Sequence, residues 1–345
     1  MFYQNIKELQ IENTSICNAA CPMCLREQKP NDKSWFTESY LSVDFFNTRI
    51  PDAVWSQLDT VLFNGVLGDP CAAPNFLEVC KAVKSKSPQS TIIVSTNGGL
   101  RNEKFWHDLA HCLTANDIVI FAIDGLKDTN HIYRVNVDYE KVISNATAFI
   151  NAGGTAHWQF IPFKHNQHQV NEAESIANSL GFKSFFIKPS YRFVLDNMLG
   201  VERYGANNTL LEPPTDNDKV HPLVRIDKKF TTEQWKQSSN NSKIECYAKR
   251  TSSIYIDYQG RLFPCCPISS GMFARQTIDM EDDWERIWNN YGDNKINLHH
   301  ENWDDVVNGM MFTCIQDSWD KDYSTGRLLS CAGSCSNSDL QFNKK

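Results

Sequence analysis

Two periodicities alternate along the first half of the chain. Runs rich in β-branched and aromatic residues at 8–16, 60–68, 91–99, 117–125, 156–164 and 184–191 read as strands, and most end in Gly, Asn, Asp or Pro. Between them, 37–57, 75–86, 102–115, 139–152 and 168–180 read as helices, with apolar spacings of three and four as in LEVCKAV and FWHDLAHCL. Strand and helix alternating about six times predicts an α/β domain with a parallel sheet and right-handed crossovers. A doubly wound open sheet and a partial barrel both fit that alternation. The polar signatures SICNAAC, NGVLGDP, STNGG, IDG and PFKHN each follow a predicted strand's C-terminal end. In parallel α/β folds that rim is where sites are built.

Residues 191–245 break the rhythm. LEPPTDNDKVHP and QSSNNSK are polar and carry Pro and Asn, so this stretch reads as a linker or lid. From 246 a hairpin pattern appears: SSIYIDYQGRLFPC places two strand-like runs around a Gln259-Gly260 turn. WERIWNNY (284–291) then reads as a short amphipathic helix. The expected organisation is an α/β domain over 1–190, a linker or lid over 191–245 and a small C-terminal unit over 246–345.

Composition narrows the picture. At 345 residues, with 41% hydrophobic and 22% charged residues, the chain reads as a soluble globular protein. A formal charge of −7 speaks against a nucleic-acid binder, which would show a basic face. MFYQNIKELQIENTS lacks the cationic and apolar regions of a secretory signal, and apolar runs fall short of the roughly 20 residues of a membrane helix. The expectation is a cytoplasmic protein with no membrane partner. In a reducing compartment clustered cysteines mean metal or catalysis. The twelve cysteines fall into an early group (17, 21, 24, 71, 80, 112) and a late group (246, 265, 266, 314, 331, 335), which predicts two separate metal sites.

ENTSICNAACPMCL (12–25) sets Cys17, Cys21 and Cys24 in one loop after the first strand. A structural zinc site uses four ligands, and a disulfide uses two. Three thiols leave a metal with a position to fill. Iron–sulfur clusters are held by cysteine thiolates, ordinarily four for a cubane, so three leave one iron for an outside chelator. A zinc site with a borrowed fourth ligand is the alternative, although zinc motifs commonly come as two pairs across a longer gap.

This spacing, directly after a first strand, resembles the radical S-adenosylmethionine (SAM) superfamily, and the likeness continues down the chain. It implies a partial (β/α)6 barrel of TIM type in which Cys17, Cys21 and Cys24 hold a 4Fe–4S cluster whose fourth iron chelates SAM. One departure is Met23, where the family often has an aromatic residue. GVLGDP (65–70) resembles the family's GGEP segment, which implies that Gly68 and Asp69 meet the SAM amino group. STNGG (95–99) and AIDG (122–125) resemble positions that approach the ribose and methionine parts, and so imply roles for Asn97 and Asp124. Arg134 in HIYR (131–134) matches an arginine that pairs with the SAM carboxylate, a task suited to guanidinium. Read without the resemblance, these are ordinary strand-ending turns.

The late cysteines carry a second likeness. Cys246, thirteen residues, Gly260, four residues and Cys265 resemble the opening of the SPASM and twitch modules that bind auxiliary 4Fe–4S clusters. A full SPASM module continues with a dense run of cysteines. Here only Cys314 and CAGSC (331–335) follow, which implies the shorter twitch form, a small α/β hairpin-plus-helix module with one cluster on Cys246, Cys265, Cys331 and Cys335. Cys266 and Cys314 are the substitutes for that set, and a four-cysteine zinc knuckle is the alternative metal. Cys80 and Cys112 lie on apolar helical faces and read as core fillers. Cys71, after the GDP loop, is a candidate hydrogen-atom donor, and His165 and His168 are candidates to line a substrate pocket.

The resemblance implies an enzyme in which an external reductant, such as flavodoxin or ferredoxin, feeds the SAM cluster. A 5′-deoxyadenosyl radical then takes hydrogen from a substrate C–H. With the first strand opening at residue 8, a small polar substrate of sugar or cyclitol type is favoured over a peptide, and oxidation or epimerisation is the expected outcome. A SPASM-type peptide-modifying maturase is the second reading. An iron–sulfur electron carrier or a zinc-binding protein is the non-enzymatic one, although a carrier needs neither the open iron nor the strand-end loops.

Overall fold

The computed structural model describes residues 5–27, 36–190, 192–193, 196, 201–220, 236–237, 239–240, 242–274 and 293–335. Six parallel strands open the chain: β1 (Glu8–Ile11), β2 (Thr60–Phe63), β3 (Thr91–Thr96), β4 (Ile118–Ala122), β5 (Ala156–Phe160) and β6 (Ser184–Ile187). They lie side by side in sequence order, so every right-handed crossover leaves its helix on the same face. A doubly wound sheet would reverse its strand order and cover both faces. The winding is therefore that of a partial barrel.

Alternation within the strands explains the layers. Leu9, Ile11, Val61, Phe63, Val94 and Phe121 are fully buried, and the residues between them are only partly covered. The buried parity packs against the helices Phe76–Lys86, Glu103–Cys112, Tyr139–Asn151 and Val170–Leu180, and Trp55, Trp106, Trp158 and Phe149 fill the space between. Local signals end these helices where the sequence places them. The Phe105 N–H donates to the Asn102 side chain and the Glu140 N–H to the Asp138 side chain, capping two helix starts. Gly181, at φ 87°, closes the helix Val170–Leu180 in the left-handed conformation.

The C-terminal hairpin is not set apart from this sheet. β7 (Ser253–Ile256) runs parallel to β1, pairing Glu8 with Ser253 and Gln10 with Tyr255, and β8 (Leu262–Phe263) returns antiparallel. The order is thus β6-β5-β4-β3-β2-β1-β7-β8, one sheet with β6 and β8 at its edges. The turn at Gln259-Gly260 forms as the sequence indicates, with Gly260 at φ 78°. Of the middle segment, residues 201–220 lie against the loop after β5: the Lys164 N–H donates to the Glu212 carbonyl at 3.0 Å, and Lys164 pairs with the Glu212 carboxylate at 2.9 Å. The helix expected at 284–291 lies outside the described residues.

Candidate functional site

The cysteine loop follows β1 and is fastened on three sides. The Ser15 N–H donates to the Ser39 carbonyl, the Ala20 N–H to the Val135 carbonyl, and the Asp69 N–H to the Ile16 carbonyl, at 2.9–3.0 Å. Arg26 closes the far end, donating to the Ser15 carbonyl at 2.5 Å and pairing with Glu38. This backbone lacing brings the loop of Cys17, Cys21 and Cys24 against GVLGDP and against the segment that follows HIYR. Gly68 is needed for the fit, since a Cβ there would stand 1.9 Å from the Thr14 carbonyl oxygen.

Polar groups reach each thiol. The Ala19 N–H and the Asn97 side-chain amide donate to Cys17 sulfur at 3.4 and 3.7 Å. An Arg134 N–H donates to Cys21 sulfur at 3.7 Å, and the Cys24 thiol donates to the Val66 carbonyl at 3.8 Å. Burial and the Asp69 charge push the Cys17 thiol well up, whereas burial raises Cys21 to about 11 against the pull of Arg134. The Cys17 and Cys21 thiols, then, are costly to ionise. A bound cation that deprotonates them, together with the N–H donors already aimed at two of the sulfurs, removes that cost.

The neighbouring carboxylates turn inward. Asp69 is buried; one oxygen accepts from the Cys71 N–H at 3.0 Å, the other from the Asn97 N–H at 2.7 Å, and both from the Thr96 hydroxyl. Burial raises its pKa against those donors. Asp69 therefore ties the GDP loop to STNGG. The Asn97 amide also donates to the Asn18 side chain at 3.0 Å. Asp124 is likewise buried; it accepts from Arg134 Nε at 2.6 Å and from the Ile161 N–H at 2.7 Å. Arg134 thus stands between the Asp124 carboxylate and the Cys21 sulfur.

Cys71 stands beside Asp69, its N–H donating to that carboxylate, but its thiol turns into the interior. Its side chain is fully buried in the hydrophobic core, and burial, then the nearby Asp69, pushes its pKa far up. His165 stacks on Phe163 with ring centroids 5.2 Å apart, and burial, with His168 and His131 nearby, brings it down to about 4. Cys80 is a core residue, and Cys112 packs partly buried against that core.

The late cysteines converge from three elements. Cys246, Cys265, Cys331 and Cys335 line one pocket together with Ile268, Phe312, Ile315 and Trp319, and neither Cys266 nor Cys314 is among its lining residues. The Tyr247 N–H donates to Cys335 sulfur at 3.4 Å. A hydrogen bond from Cys335 holds the Cys246 thiol below its ordinary range. The donor set is four thiols within an apolar wall, with backbone N–H groups of Tyr247, Ala248, Lys249 and Ile268 at the sulfurs, which suits an iron–sulfur cluster. Among the described residues no three His, Cys, Asp or Glu side chains gather closely enough to hold one ion. In a cubane each thiolate has its own iron, so thiols need only ring the pocket.

Sequence reasoning passed over three residues here. Glu12, inside the first motif, is fully buried: Leu67 and Gly68 N–H groups donate to one of its oxygens and the Tyr255 hydroxyl to the other. A lone acid where β1 gives way to the cysteine loop was the available signal. Lys188 follows β6 on the same strand parity as Ser184 and Phe186, and burial, then Arg192 and Arg134, lowers its pKa. Arg192 donates to the Met23 carbonyl beside the third cysteine.

No family model matches the chain. A tungsten-containing aldehyde ferredoxin oxidoreductase cofactor-modifying protein of Pyrococcus furiosus is 28% identical over 280 residues, covering 75% of this chain and 71% of its own. SuiB of Streptococcus suis, in complex with its precursor peptide SuiA, superposes with a TM-score of 0.59 at 14% identity, over 99% of this chain and 75% of its own. Native anSMEcpe with bound AdoMet and Cp18Cys peptide gives a TM-score of 0.52 at 15% identity, over 97% and 92% of the two chains. Among the described residues no helix is long and apolar enough to cross a membrane. The resemblance read from the cysteine loop and the strand-end motifs is borne out at the level of the fold: the chain has the fold of the radical SAM enzymes.

Proposed function

We propose that the protein is an enzyme that binds SAM at the rim beside Cys17, Cys21 and Cys24 and uses it for hydrogen abstraction from a substrate C–H. The observation that carries this reading is the convergence of the loops after β2, β3 and β4 on the thiol triad in the loop after β1, with N–H donors from Ala19, Asn97 and Arg134 directed at its sulfurs. A 4Fe–4S cluster held by the three thiolates would supply the electron that cleaves the SAM sulfonium. The chain's own residues do the rest. The backbone of the Gly68 turn takes the amino end of SAM, and Asp69 fixes that turn to Asn97. Arg134, oriented by Asp124, offers its remaining N–H groups to the carboxylate. Cys246, Cys265, Cys331 and Cys335 would hold one auxiliary cluster, which would supply a one-electron acceptor, and the expected outcome for the substrate is oxidation or epimerisation.

For the substrate we favour a small polar molecule. The support is the cofactor-modifying relative, which aligns over three quarters of this chain. A peptide substrate is the second reading, favoured by SuiB and anSMEcpe, which share the fold and were solved with peptides. The test of the SAM site is spectroscopic. After anaerobic reconstitution and reduction, adding SAM should change the electron paramagnetic resonance signal of a cluster held by Cys17, Cys21 and Cys24, and not that of a Cys24→Ala protein. A reduced signal indifferent to SAM would overturn the assignment.

A further inference from the structure

One buried side chain connects the loop of the first cysteine group to the unit that carries the second. Glu12 follows β1, between the sheet and the cysteine loop, and has no exposure to solvent. One carboxylate oxygen accepts the Leu67 N–H at 2.6 Å and the Gly68 N–H at 3.1 Å, inside GVLGDP. The other accepts the Tyr255 hydroxyl at 3.0 Å. Tyr255, itself fully buried, belongs to β7, the strand that carries the hairpin leading to Cys265. A buried carboxylate persists only when its lone pairs are used, and here three donors from two parts of the chain use them.

The register explains why this contact exists. β7 pairs with β1, placing Tyr255 opposite Gln10, and the Glu12 N–H continues that ladder by donating to the Ile256 carbonyl at 2.9 Å. Glu12 therefore sits where the C-terminal hairpin joins the barrel. Two residues on, the Thr14 carbonyl packs so closely on Gly68 that a Cβ there would overlap it. Asp257, just past the end of β7, and Arg261, just before β8, pair at 2.5 Å and fix the hairpin end of the contact.

We propose that Glu12 and Tyr255 are positioning residues through which the C-terminal unit sets the conformation of the Leu67–Gly68 turn. This rests on the reading of that turn as part of the SAM site, and it deepens that reading: the auxiliary unit is a structural component of the SAM site as well as the holder of its own cluster. Neither side chain touches the reacting groups. They act by holding two backbone N–H groups in one orientation.

The test follows amide hydrogen exchange at Leu67 and Gly68 in the reconstituted protein, and SAM affinity alongside it. Loss of a hydrogen bond to a charged acceptor corresponds to about a tenfold change or more. Glu12→Leu, which keeps the bulk, should speed exchange of both amides by about that factor and weaken SAM binding. Glu12→Gln, which keeps an acceptor oxygen, should restore most of the protection. Tyr255→Phe should speed exchange at the same amides by a few-fold, though it lies far from them in sequence, and should have little further effect in the Glu12→Leu background. Equal behaviour of the Leu and Gln variants would show that Glu12 acts by bulk alone and would overturn the proposal. So would unchanged exchange in Tyr255→Phe. The exchange readout needs no SAM, so failure of the SAM-site reading and failure of this brace give different results.

Discussion

The two groups of cysteines differ in how the chain assembles them. Cys17, Cys21 and Cys24 come from a single loop, and what surrounds them comes from elsewhere: Asn97 after β3, Arg134 beyond β4, and the Val66 carbonyl after β2. Cys246, Cys265, Cys331 and Cys335 come from three distant elements and line a pocket walled by Phe312, Ile315 and Trp319. The first arrangement has three thiols and polar neighbours able to hold a charged molecule. The second has four thiols and apolar neighbours, enough thiols to ligate a four-iron cluster with no outside chelator. Open ligation suits chemistry, and closed ligation suits electron storage or structure.

Metal content gives the largest separation between the two. Each cubane holds four irons, so the reconstituted protein should carry about eight irons per chain and about four after Cys265→Ala or Cys331→Ala. The closed-site variants should keep the SAM-dependent change in the spectrum, and Cys17→Ala should lose it. Equal iron content in wild type and Cys331→Ala would break the comparison by removing that residue from a cluster.

A second difference concerns pH. Burial, reinforced by Asp257, raises the Glu12 carboxyl from its ordinary 4.5 to about 7, despite the Leu67 and Gly68 N–H groups and the Tyr255 hydroxyl. A carboxyl raised in the folded state favours folding when protonated. Its contribution is full below about pH 4.5 and is lost as pH rises through about 7, some 3 kcal/mol in all. Glu12→Gln, which does not titrate, should therefore gain stability over wild type by about that amount between pH 4.5 and 8, read from urea midpoints. A constant difference across that range would show that Glu12 keeps its ordinary pKa. A smaller effect is expected at Gly68. Gly68→Ala must move backbone to clear the Thr14 carbonyl, for about 1–3 kcal/mol of lost stability, whereas Gly153→Ala, with open space around its Cβ position, should lose less despite its positive φ.

The degree to which these features could be read in advance follows from the same contrast. The alternating strands and helices were legible because the outer face of each strand is buried and the helices are amphipathic; the six strands and most helices lie where the pattern puts them. Winding was not legible, because alternation alone does not give strand order. The continuous motif at 17–24 could be read from spacing. The gathering of Cys246, Cys265, Cys331 and Cys335 followed from resemblance, and the structure brings these four to one pocket while leaving Cys266 and Cys314 out of its lining. Asp69 and Asp124 were expected as SAM contacts; in the structure Asp69 accepts from Cys71, Thr96 and Asn97, and Asp124 from Arg134 and Ile161. Nothing in a turn motif says which way its carboxylate points. Glu12 escaped notice for a related reason: its partners lie 55 and 243 residues away.

The central claim is that the open triad holds a cluster that cleaves SAM. The most direct measurement is 5′-deoxyadenosine formed under anaerobic conditions from SAM and dithionite by the reconstituted protein, beside Cys24→Ala and Cys265→Ala. The account predicts steady product from wild type, continued product without added substrate from Cys265→Ala, and none from Cys24→Ala. Wild-type product no greater than that of Cys24→Ala would contradict it.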